Sequence, residues 1–176
     1  MKSLKFLLFS VFAVAVSMTA NAQGFGIRAG ANFSDVNGTG LDTSVKTGLY
    51  VGVFKEIPLI KSLLFVQPEI QYSQEGFDSK FENVKVDYIT LPIMAKVYAL
   101  KLLSFETGPQ FGFPISDNLE SGDVNSFVTS WGFGMSLNLP LHLSINARYV
   151  TGLTDTFDGL DSNKSQVFQI GAAFRL

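Results

Sequence analysis

Between residues 24 and 176, apolar residues alternate with polar or small ones at period two, and helical periodicity never takes over. Successive side chains of a β-strand point to opposite faces, so such a chain folds into strands with one apolar and one polar face. Eight stretches carry the pattern, at 24–33, 48–57, 63–74, 85–98, 103–113, 126–139, 141–151 and 166–176. Each has about the 9–11 residues that a tilted strand needs to cross a bilayer, or slightly more. The connections at 34–47, 75–84, 114–125 and 152–165 are long and polar, whereas 58–62, 99–102 and the Leu139-Pro140-Leu141 corner are short. Up-and-down membrane barrels have this asymmetry, with long outer loops and short periplasmic turns.

The first 22 residues read as a cleaved signal peptide. Lys2 and Lys5 precede an apolar run from Phe6 to Val16, too short for a membrane-spanning helix. Ala20-Asn21-Ala22 then offers small residues to a signal peptidase. Residues 23–176 form one domain, and without Cys no disulfide supports it. Its 11 basic and 15 acidic residues give a net charge of −4, and it has no basic patch interleaved with aromatics, which disfavours nucleic acid.

The two faces differ in kind. In the last strand Phe168, Ile170, Ala172, Phe174 and Leu176 oppose Val167, Gln169, Gly171, Ala173 and Arg175. This fits a membrane barrel with its apolar face on lipid, or a soluble lipocalin-like carrier with that face around an apolar ligand. Three features favour the membrane. Gly30, Gly52, Gly108, Gly112, Gly132, Gly134 and Gly171 share the polar face, where only a crowded interior gives glycine a purpose. Arg28, Glu56, Glu69, Lys96, Glu106, Arg148 and Arg175 share it too, and their charges nearly cancel. The apolar face carries Phe105, Phe111, Phe113, Trp131, Phe133, Tyr149, Phe168 and Phe174, as a lipid-facing aromatic girdle would. The expectation is an all-β protein, an eight-stranded antiparallel up-and-down transmembrane β-barrel. Pro68 and Pro109 interrupt ladder hydrogen bonding and are expected at local bulges.

Several phrases resemble the PorT-like outer-membrane β-barrel family of small porin-like, OmpX-like bacterial proteins. They are Gly26-Ile27-Arg28-Ala29-Gly30-Ala31-Asn32-Phe33-Ser34, Gly52-Val53-Phe54 with Glu56, and Gln67-Pro68-Glu69-Ile70-Gln71-Tyr72-Ser73. Tyr88-Ile89-Thr90-Leu91-Pro92, Glu106-Thr107-Gly108-Pro109-Gln110 and the closing Phe168-Gln169-Ile170-Gly171 with Phe174-Arg175-Leu176 complete the set. The resemblance implies an eight-stranded outer-membrane barrel and says little about activity. Members often carry an acid where this chain has Thr90. The final strand, with Phe168, Phe174 and Leu176, is similar to the signal read by the barrel-insertion machinery, although the usual terminal residue is aromatic.

The lumen charges are the strongest candidate constellation. Charges removed from water must be paired, so the seven are expected to form a network that plugs the barrel. A narrow selective pore for small solutes is the alternative, disfavoured because eight strands enclose a space that side chains just fill. His142 and Ser144 hint at an acyl-transfer pair, but residues two apart on a strand are too distant for the required bond. No enzyme and no cofactor is expected. Asp155, Asp158 and Asp161 recur in the last long connection without the spacing of a calcium loop, and read as a solvated acidic segment. The four long connections hold 11 of the 15 acids and only Lys46, Lys80 and Lys164. Expected partners are outer-membrane lipid, the insertion machinery and an unidentified extracellular partner; a monomer is expected. The expected role is structural or adhesive, at the bacterial outer membrane.

Overall fold

Alternation and backbone pairing together close the chain into a barrel. The computed structural model describes residues 24–37, 43–79, 83–100, 102–117, 127–154 and 164–176. Among these lie nine strand segments: β1 (Phe25–Asn37), β2 (Thr43–Lys55), β3 (Ile57–Ile60), β4 (Leu64–Ser79), β5 (Asn83–Leu100), β6 (Leu103–Asp117), β7 (Val128–Asn138), β8 (Leu143–Gly152) and β9 (Lys164–Arg175). β2 and β3 are one stave. Phe54 faces Glu69 and Ile57 faces Val66, a single register on both sides of Glu56. Consecutive staves pair antiparallel, and β1 pairs with β9 through Ala29↔Ala172 to close an eight-stranded antiparallel barrel. Closure leaves no open sheet edge, which lipid would penalise by several kcal/mol for each unpaired polar group.

The burial pattern inverts that of a water-soluble protein. Arg28, Asn32, Gln71, Ser73, Arg148 and Gln169 point inward and are buried. Ile27, Ile70, Phe133 and Ile145 on the alternate positions are about half exposed. The apolar face therefore lies outside, and the lipocalin-like alternative is not the arrangement adopted: the interior is hydrogen-bonding, not oily.

The strands run further than the alternation of apolar residues indicates. β1 and β2 continue past the expected limits at 33 and 48, with Ser34 paired to Lys46, and β4 continues past 74 to Ser79. The expected long connection at 75–84 thus reduces to residues 80–82. Above the lipid both faces of a strand can meet water, so polar side chains there carry no signal that pairing has ended. The expected bulges at Pro68 and Pro109 are also absent. Gln67↔Met94, Pro68↔Ile93 and Gln71↔Thr90 keep one register, and Pro109↔Trp131 lies in an uninterrupted ladder. A proline removes one donor without inserting a residue, so register survives. The shifts that do occur lie between Val45 and Tyr50, Pro58 and Ile60, Asp87 and Tyr88, and Tyr98 and Leu100.

The inward glycines make room for large neighbours. A Cβ on Gly134 would stand 2.8 Å from Glu106 Cγ and Oε1, and one on Gly132 would meet Met94 Cε at 3.1 Å. The Tyr50 hydroxyl lies over Gly171. Gly134→Val is expected to cost about 1–3 kcal/mol through overpacking. It should lower the temperature at which the fast-migrating folded band converts to the unfolded band on a gel. Ala147→Val, on the outer face beside it, should leave that temperature unchanged.

Candidate functional site

Inward parity delivers charged side chains from four staves to one level at the middle of the barrel. Arg28 comes from β1, Glu69 from β4, Glu106 from β6 and Arg148 from β8. Arg148 is fully buried and grips Glu69 with two nitrogens: Nη1 donates to Oε2 at 3.0 Å and Nη2 to Oε1 at 2.7 Å. Its Nε donates to Glu106 Oε1 at 2.8 Å, and Nη2 lies 2.6 Å from the same oxygen. Arg28 Nη1 donates to Glu69 Oε1 at 2.8 Å and lies 3.7 Å from Glu106 Oε1, while Nη2 donates to Asn146 Oδ1 at 2.8 Å. The Tyr50 hydroxyl donates to that oxygen at 3.0 Å, and its ring lies beneath the Arg28 guanidinium with 5.7 Å to the centroid. Two cations and two anions thus form a cross-brace with no net charge, the condition under which buried charges avoid a large desolvation cost.

A second cluster sits toward the periplasmic end. Lys96 Nζ donates to Glu56 Oε1 at 2.7 Å, and Arg175 Nη1 donates to Glu56 Oε2 at 2.8 Å. The Tyr98 hydroxyl lies 2.9 and 3.0 Å from the two carboxylate oxygens and accepts from Arg175 at 3.1 Å. Gln67 joins the clusters: its Nε2 donates to Glu69 at 2.7 Å and its Oε1 accepts from Lys96 at 3.3 Å. A third tier toward the outside is neutral. Gln169 donates to Asn32 Oδ1 at 3.0 Å, and Asn32 donates to Ser73 Oγ and the Gln74 carbonyl, each at 2.9 Å.

The structure therefore places all seven charges named from the sequence in the lumen, but in two groups. Arg28, Glu69, Glu106 and Arg148 meet at the centre, and Glu56, Lys96 and Arg175 at the periplasmic mouth, where the Arg175 side chain is 39% exposed. The neutral partners Tyr50, Gln67, Tyr98 and Asn146 carry no charge to single them out, and inward parity is the one signal in the sequence that marks them. Glu75, expected in the connection at 75–84, lies on β4, where Glu69, Gln71, Ser73 and Glu75 continue one alternation. Thr90 is buried, and its hydroxyl donates to the Gln71 carbonyl at 3.4 Å.

The eight aromatics lie on the outer face. Phe133 is the most exposed at 54%, Phe105, Phe113, Tyr149, Phe168 and Phe174 are near two-fifths, and Phe111 and Trp131 are part-buried. Trp131 Nε1 donates to Thr107 Oγ1 at 2.9 Å, which satisfies an indole donor that lipid could not. His142 is exposed in the turn before β8 with φ 62°, and no hydrogen bond joins it to Ser144 among the described residues. Asp155, Asp158 and Asp161 lie outside the described residues. Among the described residues no three metal-ligating side chains cluster.

A closed barrel with an apolar exterior and a braced polar interior defines a small outer-membrane barrel protein. The chain belongs to the outer membrane protein beta-barrel domain family, which matches residues 20–158. It is similar in structure to Ail, the attachment invasion locus protein of Yersinia pestis (TM-score 0.55, 17% identity, 87% of this chain and 99% of Ail covered). It is also similar to Neisserial surface protein A (0.58, 15%, 87% and 97%) and to the outer membrane enzyme PagL (0.61, 10%, 86% and 99%). At these identities the likeness is one of fold. No curated protein matches the sequence.

Removing one member of the brace strands its partners. Glu69→Ala leaves Arg148 and Arg28 short of a carboxylate and is expected to cost about 3–5 kcal/mol. Urea unfolding in lipid vesicles should show this as a lowered midpoint. Arg175→Ala, at the half-exposed mouth, should shift the midpoint far less.

Proposed function

We propose that this protein is a closed, non-catalytic outer-membrane barrel that acts through its outer surface, in a structural or adhesive role. The cross-brace at Arg148 carries this reading. A fully buried guanidinium bonded to carboxylates from two other staves obstructs the lumen at mid-depth. Small cavities lie on either side of it, one lined by Glu75, Gln110 and Val150 and one by Glu56, Lys96 and Arg175. Residues 1–22 direct export and are removed, and the barrel is of the PorT-like kind. The brace and the lumen charges hold the barrel shut, and the aromatic girdle fixes its depth in lipid.

The outer connections concentrate acid: 11 of 15 acidic residues against Lys46, Lys80 and Lys164. Ail has been captured with the heparin analogue sucrose octasulfate. Such a polyanion would be repelled here, so the partner that fits is a basic surface. The competing reading is a narrow channel, favoured by the space at the two ends. Planar-bilayer recording separates them. The intact protein is expected to give no discrete openings, and Arg148→Ala combined with Glu69→Ala and Glu106→Ala is expected to give them. Openings from the intact protein at the triple variant's frequency would overturn the closed barrel. For the surface role, vesicles bearing the protein should be retained on a lysine-rich peptide surface in low salt. Replacing Asp155, Asp158 and Asp161 with Asn should reduce retention.

A further inference from the structure

The periplasmic ends of β3 to β6 depart from the alternation that governs the rest of the barrel. Past the Glu56 cluster, Pro58 and Ile60 continue the inward parity of Glu56, and Leu100 continues that of Tyr98, yet all three are exposed. Ile57 and Leu59, on the outward parity of β3, are exposed too, as are Leu63 and Leu102 in the two turns. Both parities are therefore apolar here, with Leu59 62% and Leu100 68% exposed. The outer strand ends, where both faces meet water, carry Ser34, Lys46, Gln74 and Asp78 instead. A contiguous exposed apolar patch marks a contact surface. This one is continuous with the lipid-facing band, since Ile60 pairs with Leu64, Leu64 with Val97 and Val97 with Phe105. It is also basic. Lys55 ends β2, Lys61 is exposed in the turn after β3, and neither forms an ion pair among the described residues. The connections at 58–62, 99–102 and 139–141 contain no Asp or Glu. Strand addition is blunted at the edge of β3 away from β4. Glu56 N–H donates to the Gly24 carbonyl on that side, and Pro58, which alternates with Glu56, presents no N–H there.

We propose that this rim binds anionic phospholipid of the inner leaflet. Ile57, Leu59, Ile60, Leu100 and Leu102 rest among the acyl chains near the headgroups, and Lys55 and Lys61 hold the phosphates. The inference rests on the outer-membrane placement of the barrel. An apolar segment flanked by lysines lies at the boundary between headgroups and acyl chains, with the lysine stems on the apolar side and the ammonium groups in the phosphate layer. A water-filled surroundings would leave the apolar side chains uncovered on both parities. A protein strand would meet Pro58 in place of a donor. Each lysine near an anionic surface favours the anionic lipid about fivefold. The acidic outer connections repel the same lipid, so the two ends of the barrel prefer opposite charge.

The test places an indole in the rim. Leu59→Trp is combined with Trp131→Phe, and the barrel is refolded into phosphatidylcholine vesicles. These contain a fixed fraction of acyl-brominated lipid, either phosphatidylglycerol or phosphatidylcholine. Bromine quenches an indole that touches the chains. The rim indole is expected to emit as in an apolar medium. Brominated phosphatidylglycerol should quench it about fivefold more strongly than brominated phosphatidylcholine, the scale of one lysine. Lys55→Gln with Lys61→Gln should remove the difference and leave the indole in contact with lipid. The protein with Trp131 as its one indole should be quenched equally by both lipids. Insertion is checked by the heat-dependent gel shift, and if Leu59→Trp does not fold, Leu100→Trp takes its place. An inserted barrel whose rim indole emits as in water, and is quenched by neither lipid, overturns the proposal and leaves the rim to a periplasmic protein. Equal quenching by the two lipids overturns it, as does a preference that survives loss of both lysines. A barrel that does not insert at all overturns the outer-membrane placement along with it.

Discussion

A guanidinium sealed from water at the middle of a barrel must be bonded on every side, and the rest of the interior is arranged around meeting that demand. Arg148 takes Glu69 from β4 and Glu106 from β6, and Glu69 in turn needs Arg28 from β1. These four side chains tie staves that are not neighbours in the sheet. Ladder hydrogen bonds act only between adjacent staves, so the brace adds the cross-links that ladders cannot provide. The glycines follow from the same demand. Glu106 passes over Gly134, so a side chain there would displace a member of the brace, and one at Gly132 would press on Met94 beside the Arg148 stem. Glycine in a strand ordinarily weakens it; here the lost strand propensity is offset by an ion pair network that has nowhere else to lie.

Charge is graded along the lumen. The periplasmic cluster holds Lys96 and Arg175 against Glu56, the centre is neutral, and the outer part holds Glu75. With Glu75 added to the seven, these named charges are four acids and four bases, balanced as a set but not at each level. The grading has a structural logic. The centre is furthest from water and holds a neutral set of mutually bonded charges. The ends lie near water, where one surplus charge is screened and tolerated.

How much of this was legible follows from what selects each residue. Inward and outward faces were legible because lipid imposes one rule on every outward position, and a single-residue slip would expose Arg28 or Arg148 to hydrocarbon. The lumen charges were legible for the same reason. Which charge meets which was not, because pairing depends on strand stagger: Arg28 and Glu69 are 41 residues apart and meet only once the shear of the barrel is set. The prolines are ambiguous in the sequence because a lost donor does not entail a lost register. Pro109 shows that the two are separable in a ladder otherwise intact. Glu75 is ambiguous because polarity near a strand end is equally the mark of a turn.

That last ambiguity bears on where function resides. Below the outer lipid boundary a charged outward residue is excluded, and a polar one such as Thr107 is hydrogen-bonded, so alternation marks the strands there. Above it both faces can be wet, and Ser34, Lys46, Gln74 and Asp78 pair in a ladder that hydropathy does not reveal. The outer ends of the strands are thus the part of the barrel released from the lipid's rule and free to be chosen for other reasons. The cavity around Glu75 and the acidic connections both lie there. The centre is committed to the brace, so a substitution there loosens the barrel, whereas one above Arg148 need not.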